Sequence, residues 1–188
     1  AEYPKSLFID TSNRIFRDKM DIYSGFKTLR FTGVPYTVSK AVNSAIMKKS
    51  GAIVYDFGWG IDTQSIFIPH DASELRKIHC IPDEYIIILA VAPYSNLRKG
   101  IKQYYYEAAK RLKDKPIKFI HIGFDGNKVE IPENVVALSF VKDQKLLAQY
   151  FSLADLFVIT SLSEGYPTVC LDSLCCGTPI CGFNVSPL

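Results

Sequence analysis

From Tyr85 to Ala92 the chain reads YIIILAVA, eight residues with no charge and no turn former. The run is too short to cross a bilayer. It suits a strand buried on both faces, the kind found inside parallel sheets. Helices and further strands then alternate with it. Arg98 to Leu112 has helical spacing, with Ile101, Tyr105, Ala108, Ala109 and Leu112 on one side. Ile117 to Ile122 and Val135 to Leu138 read as strands, and Gln144 to Leu153 as a helix. Leu156 to Thr160 is a fourth strand, Thr168 to Cys176 a helix and Pro179 to Phe183 a last strand. Such alternation predicts an α/β fold, a Rossmann-like parallel sheet with helices on both faces.

The first forty residues are less legible. Phe31 to Ser39 reads as extended, Ser39 as the cap of a helix over Lys40 to Lys49 that ends at Gly51, and Ala52 to Tyr55 as a strand. Gly58 to Ile68 reads as irregular.

With 188 residues and 48% hydrophobic content, there is material for one well-buried domain and part of another. The net charge of +3 argues against nucleic acid as a partner, because Lys48-Lys49, Arg98-Lys99 and Lys110-Arg111-Lys113 are scattered clusters rather than one basic face. No apolar run approaches the ~20 residues of a membrane span, and no signal-peptide pattern opens the chain. Five cysteines, four of them crowded near the end, suit reduced thiols in a cytoplasmic protein. The spacing of Cys170, Cys175, Cys176 and Cys181 is not a zinc pattern, so buried thiols and no metal are expected. His121 falls within a strand and suits a structural role; His70 and His79 are isolated from it in the sequence.

In parallel sheets, ligands bind beyond the carboxyl ends of the strands. After the first strand comes PYSNLRKG, which sets Arg98 and Lys99 at a helix start. Cations there oppose the helix dipole unless an anion docks among them. After the second comes Gly123-Phe124-Asp125-Gly126, read as a plain turn. After the fourth comes SLSEGYPT. Glu164 is an acid at the carboxyl edge, Gly165 admits close backbone approach, and Pro167 suits a first helical turn. Asp172, eight residues after Glu164, is placed to line the same cleft. No G-x-G-x-x-G fingerprint occurs, which disfavours a dehydrogenase.

Glu164 to Gly182, EGYPTVCLDSLCCGTPICG, resembles the donor-site signature of the retaining glycosyltransferases of family 4, the glycosyl transferases group 1. Trp59-Gly60-Ile61-Asp62 resembles that family's interdomain Asn-Gly-Ile-Asp segment, and Lys99-Gly100 its Lys-Gly pair. Tyr150 through Thr160 resembles the family's segment with an alternating Ala-Asp before the fourth strand. The resemblance runs from about Ser39 to Phe183 and implies the C-terminal domain of a GT-B fold. It implies that residues 1–62 are a remnant of an N-terminal acceptor domain with the linker, and 63–188 an incomplete donor-binding domain. The absent N-terminal domain would be a partner to the site, and any contact with the inner face of the membrane would come through it.

The implied reaction transfers a sugar, with retention, from a UDP- or GDP-linked donor to a saccharide or lipid-linked acceptor, with no cofactor. Glu164 and Lys99 would be catalytic. Arg98, Gly165, Tyr166, Pro167, Thr168 and Asp172 would hold the donor, and Val141 and Lys142 would lie near its base. Three positions depart from the pattern. Asp172 stands where a glutamate is usual and is shorter by about 1.5 Å. Tyr94 stands where an arginine is usual, and Trp59 replaces an asparagine. A GT-B nucleotide-sugar epimerase and a non-catalytic α/β interaction module are the competing readings. The sequence does not choose the base, the sugar or the acceptor.

Overall fold

The computed structural model describes residues 10–33, 48, 51–56, 58, 60–126 and 129–185. The chain divides into two compact units, Ala1–Trp59 and Gly60–Leu188. The expected helix over 40–49 lies largely outside the described residues, as do Trp59 and most of the extended stretch expected from Phe31 to Ser39.

In the first unit, helix α1 spans Ser12–Ser24 and buries none of its residues. Strands β1 (Arg30–Gly33) and β2 (Ile53–Asp56) pair in parallel, Arg30 opposite Ile53 and Gly33 opposite Asp56.

The second unit holds a five-stranded sheet: β3 (Ile86–Val91), β4 (Ile117–Ile122), β5 (Val135–Leu138), β6 (Leu156–Ile159) and β7 (Ile180–Gly182). The order is β5-β4-β3-β6-β7 and every pairing is parallel. The first strand is central, and the chain steps outward on one side before returning to the other. That reversal leaves a topological switch point between β3 and β6.

The period of two along β3 assigns its side chains to opposite faces. Ile87 and Leu89 join one core with Ile120, Ile122, Phe157 and Phe151. Ala90 joins the other with Tyr105, Tyr106 and Phe119. Helices α2 (Ser73–Ile78), α4 (Gln144–Leu153) and α5 (Thr168–Cys175) supply the first core, and the segment Ile101–Arg111 the second, so both faces carry helices.

Polar side chains set the register. The Asp155 carboxylate accepts from Ile87 N–H at 2.7 Å, tying the start of β6 to β3. Asp143 caps α4 by accepting from Lys145 and Leu146 N–H at 2.9 and 3.3 Å. The Cys-Gly-Thr-Pro turn is held from inside. Thr178 Oγ1 donates to the Phe151 carbonyl at 2.5 Å, Ser173 Oγ donates to the Thr178 carbonyl at 2.9 Å, and Gly177 takes φ 84°.

Two expectations change. The helix expected from Arg98 begins as a 3-10 turn, Leu97–Lys99, breaks at Gly100 with φ 67°, and resumes as a π turn over Ile101–Tyr105 before α3 (Tyr106–Arg111). The break requires a glycine, because φ is left-handed there and a Cβ would collide with the Thr160 carbonyl. The cations therefore sit on the turn before the helix rather than in its first turn. Cys181 is exposed rather than buried, because β7 is an edge strand; Cys176 is buried and Cys170 and Cys175 are half-buried.

Candidate active site

The two loops at the switch point are bound to one another. Thr160 Oγ1, at the end of β6, donates to the Lys99 carbonyl at 2.7 Å. Leu162 N–H donates to the Arg98 carbonyl at 2.9 Å. Within the first loop, the Asn96 side chain accepts from Arg98 N–H at 3.1 Å and starts the 3-10 turn. The close approach that requires Gly100 lets these backbones meet.

Side chains follow the backbone. Lys99 Nζ donates to Glu164 Oε1 at 2.5 Å. An Arg98 guanidinium nitrogen lies 3.7 Å from Glu164 Oε2 and also donates to the Ser163 carbonyl. The Glu164 side chain is only 6% exposed and Lys99 21%, whereas Arg98 is 44% exposed. Lys99 and Glu164 thus form a half-dry pair at the sheet edge, and the more exposed Arg98 is held beside it by Ser163 and Glu164.

Beyond Glu164 the loop opens. A Cβ placed on Gly165 meets nothing within 4 Å, so the space above its backbone is vacant of protein. Tyr166 and Pro167 line a groove of about 510 Å³ with Ile159, Cys170 and Phe183. Thr168 opens α5. Asp172, one turn further, is buried at 7% exposure, and burial pushes its carboxyl up to about 6. Burial pushes the Cys170 thiol up to about 11, and the negative charges of Glu164 and Asp172 add to the rise. Both acids are thus near enough to Cys170 for their charges to reach its thiol.

Val141 packs partly buried against the larger core, and exposed Lys142 immediately precedes the capping Asp143. They lie beyond the carboxyl end of β5, two strands from β3. The structure joins Arg98, Lys99 and Glu164 directly and records no bond from these to Val141 or Lys142.

Tyr94, at the position where the resemblance sets an arginine, is a core residue. It is 9% exposed, with ring centroids of Tyr106 and Phe124 at 5.3 and 5.5 Å. It anchors the loop and offers no cation. Near it His121 is fully buried: Nδ1 lies 3.0 Å from the Tyr106 hydroxyl and Nε2 2.9 Å from the Ala92 carbonyl. Burial lowers its pKa, so the ring is neutral, donating to Ala92 and accepting from Tyr106.

Sequence reasoning took Asp125 for part of a plain turn. Its carboxylate accepts from Ser95 N–H at 2.8 Å and from Ser95 Oγ at 2.5 Å. These bonds hold its pKa below the usual range. The signal was faint, since only the order of the strands reveals that the loops after β3 and β4 are neighbours. Among the described residues, no three of His, Cys, Asp and Glu converge as a metal ion would require.

A parallel sheet of this order, with cations and an acid meeting at its switch point, defines a Rossmann-like α/β unit of the GT-B glycosyltransferase fold. The family model for glycosyl transferases group 1 matches residues 71–188, more than half of the chain, and the chain belongs to that family.

Solved structures agree on the fold. Sucrose-phosphate synthase from Thermosynechococcus elongatus superposes with TM-score 0.66 at 18% identity, over 95% of this chain and 47% of that one. A glycosyltransferase from Rickettsia africae gives 0.69 at 12% identity, over 91% and 49%. HepE from Anabaena, solved in complex with UDP, gives 0.63 at 16% identity, over 92% and 49%. The chain spans about half the length of each of these proteins. No individually curated sequence matches it.

Proposed function

We propose that this chain carries the donor-binding half of a retaining family 4 glycosyltransferase, and that its switch-point loops hold the diphosphate of a nucleotide-sugar. The observation that carries the reading is the Lys99–Glu164 pair, with Arg98 beside it, at the crevice between β3 and β6.

Lys99 and Arg98 face the position where charge develops as the bond between the sugar's anomeric carbon and the phosphate oxygen breaks. The bonding electrons leave with the nucleoside diphosphate, and two fixed cations stabilise them without solvent reorganisation. Glu164, released from Lys99 by the diphosphate, turns to the sugar and stabilises its positive character. The acceptor hydroxyl bonds to the same face of the anomeric carbon and passes its proton to the departing diphosphate oxygen. Asp172 lies on the ribose side, ionised above about pH 6. Val141 and Lys142 flank the base, which is that of UDP or GDP. The acceptor is a saccharide or a lipid-linked glycan, and a preceding domain closes over the donor and excludes water. The activity is cytoplasmic. HepE solved with UDP supports a nucleoside diphosphate at such a fold.

Calorimetric titration of the chain with UDP, GDP and ADP tests this. One nucleotide binds saturably. Lys99→Ala raises its Kd by roughly ten- to a hundredfold, the range for a lost charge-assisted hydrogen bond, and Asp172→Ala also weakens it. Glu164→Gln tightens the free diphosphate, because a carboxylate no longer occupies the cations. Indifference of binding to Lys99→Ala sinks the reading.

A further inference from the structure

Resting on this reading, we propose that Asp125 is a positioning residue for diphosphate binding: through Ser95 it fixes the loop that presents Arg98 and Lys99.

The loop from Pro93 to Gly100 is held at three places. Its far end, at Arg98 and Lys99, is tied to β6 by Leu162 and Thr160. Its near end continues β3 alongside β4: Ala92 N–H donates to the Ile122 carbonyl at 2.9 Å, and Tyr94 N–H to the Gly123 carbonyl at 3.2 Å. Gly123 takes φ 104°, and a Cβ there would lie 2.5 Å from the Ala92 carbonyl oxygen, so the two loops run in close contact. Between these ends, the Asp125 carboxylate grips Ser95 by both its main chain and its hydroxyl, thirty positions apart in the chain. Asn96 follows at once and starts the turn that aims the cations.

Geometry sets the division of labour. Asp125 has its two oxygens committed to Ser95, one per donor. It acts through that serine and not on the ligand. Without it, Ser95 and Asn96 are restrained by Tyr94 behind and, ahead, by the 3-10 turn with its backbone ties to the β6 loop, which leave the side chains of that turn less fixed. The cations then sample orientations that do not converge on one diphosphate, and ordering them again is charged against binding.

The test uses the 188-residue chain with whichever of UDP, GDP and ADP binds best, with inorganic pyrophosphate, and with the matching nucleoside lacking phosphate. Asp125→Ala raises the Kd for the diphosphate and for pyrophosphate roughly tenfold and leaves nucleoside affinity unchanged. Asp125→Asn recovers most of the loss, since its amide oxygen accepts from Ser95 N–H and its nitrogen donates to Ser95 Oγ. Ser95→Ala weakens the same ligands, and the Ser95→Ala/Asp125→Ala double variant is no weaker than Asp125→Ala.

Wild-type affinity in Asp125→Ala and Ser95→Ala, while Lys99→Ala still weakens the diphosphate, overturns the proposal and leaves the donor site standing. Strictly additive losses overturn it as well, because Asp125 would then act by its own charge. Failure of the wild type to bind any diphosphate removes the donor-site reading and this one together. Should Asp125→Ala not fold, Ser95→Ala and Asp125→Asn decide alone: Ser95→Ala must weaken the diphosphate while Asp125→Asn retains it.

Discussion

Asp172 is a carboxyl held in a place that disfavours its charge. Burial raises it from its ordinary value to about 6, so the folded chain keeps a proton that the unfolded chain releases at lower pH. Its contribution to stability is therefore full below the unfolded value near 4, and is lost as pH rises through about 6. Asp172→Asn keeps the shape and removes the titration. Thermal melts from about pH 4 to about pH 8 should show the variant melting above wild type at the alkaline end, with the two converging at the acid end. A constant difference at every pH would show that the carboxyl does not titrate in this range. The same burial is why Asp172 was legible in the sequence only as a position. An acid eight residues after Glu164 says which helix it rides, but its degree of burial depends on how α5 meets β6 and β7. Tyr94 escaped the sequence for a related reason. An aromatic in a loop looks the same whether it faces a ligand or packs among Tyr106, Phe124 and His121, and those partners come from α3, β4 and the loop after β4.

Elements were legible where their period was long enough to show. β3, β4, β5, β6 and β7 and helices α4 and α5 fall where apolar runs and caps locate them, to within a residue or so at each end. Helix α2 was not seen, because six residues make under two turns and only Leu75 is buried. The break at Gly100 was not seen either: the helical spacing of Ile101, Tyr105 and Ala109 survives a π turn well enough to suggest one unbroken helix. That break has a consequence for stability and for the site alike. Gly100 sits at φ 67° against the Thr160 carbonyl, the same residue whose hydroxyl holds Lys99. Gly100→Ala adds a left-handed alanine, at about 1–2 kcal/mol, to a forced separation of the two loops, at about 1–3 kcal/mol. Chemical denaturation should show a loss of at least about 2 kcal/mol, and diphosphate affinity should fall with it. A variant as stable as wild type would mean that β6 yields to the added methyl, and the close packing of the loops would not be what sets the geometry of the cations.

At the scale of the molecule, the two units differ in what holds them. Among the described residues, every member of both hydrophobic clusters lies between Ile61 and Ile180. The described part of the first unit has one amphipathic helix with nothing buried and a pair of four-residue strands. The sequence anticipated this asymmetry through its patterning, since regular alternation begins only at Tyr85, while the region before it mixes short apolar stretches with charges. It placed the boundary at residue 62, where the resemblance put the linker, and the contacts divide the chain after Trp59. A domain whose core is complete within its own limits folds without its neighbour. Residues 60–188 expressed alone should therefore melt cooperatively within a few degrees of the whole chain, and should bind the same nucleoside diphosphate with unchanged affinity, because Arg98, Lys99, Glu164 and Asp172 and all the groups that hold them are inside that segment. A large fall in melting temperature on removing residues 1–59 would show that the first unit covers part of the second, and loss of binding at unchanged melting temperature would show that it supplies a residue to the site. Equality in both measurements would locate fold and diphosphate recognition together in the second unit.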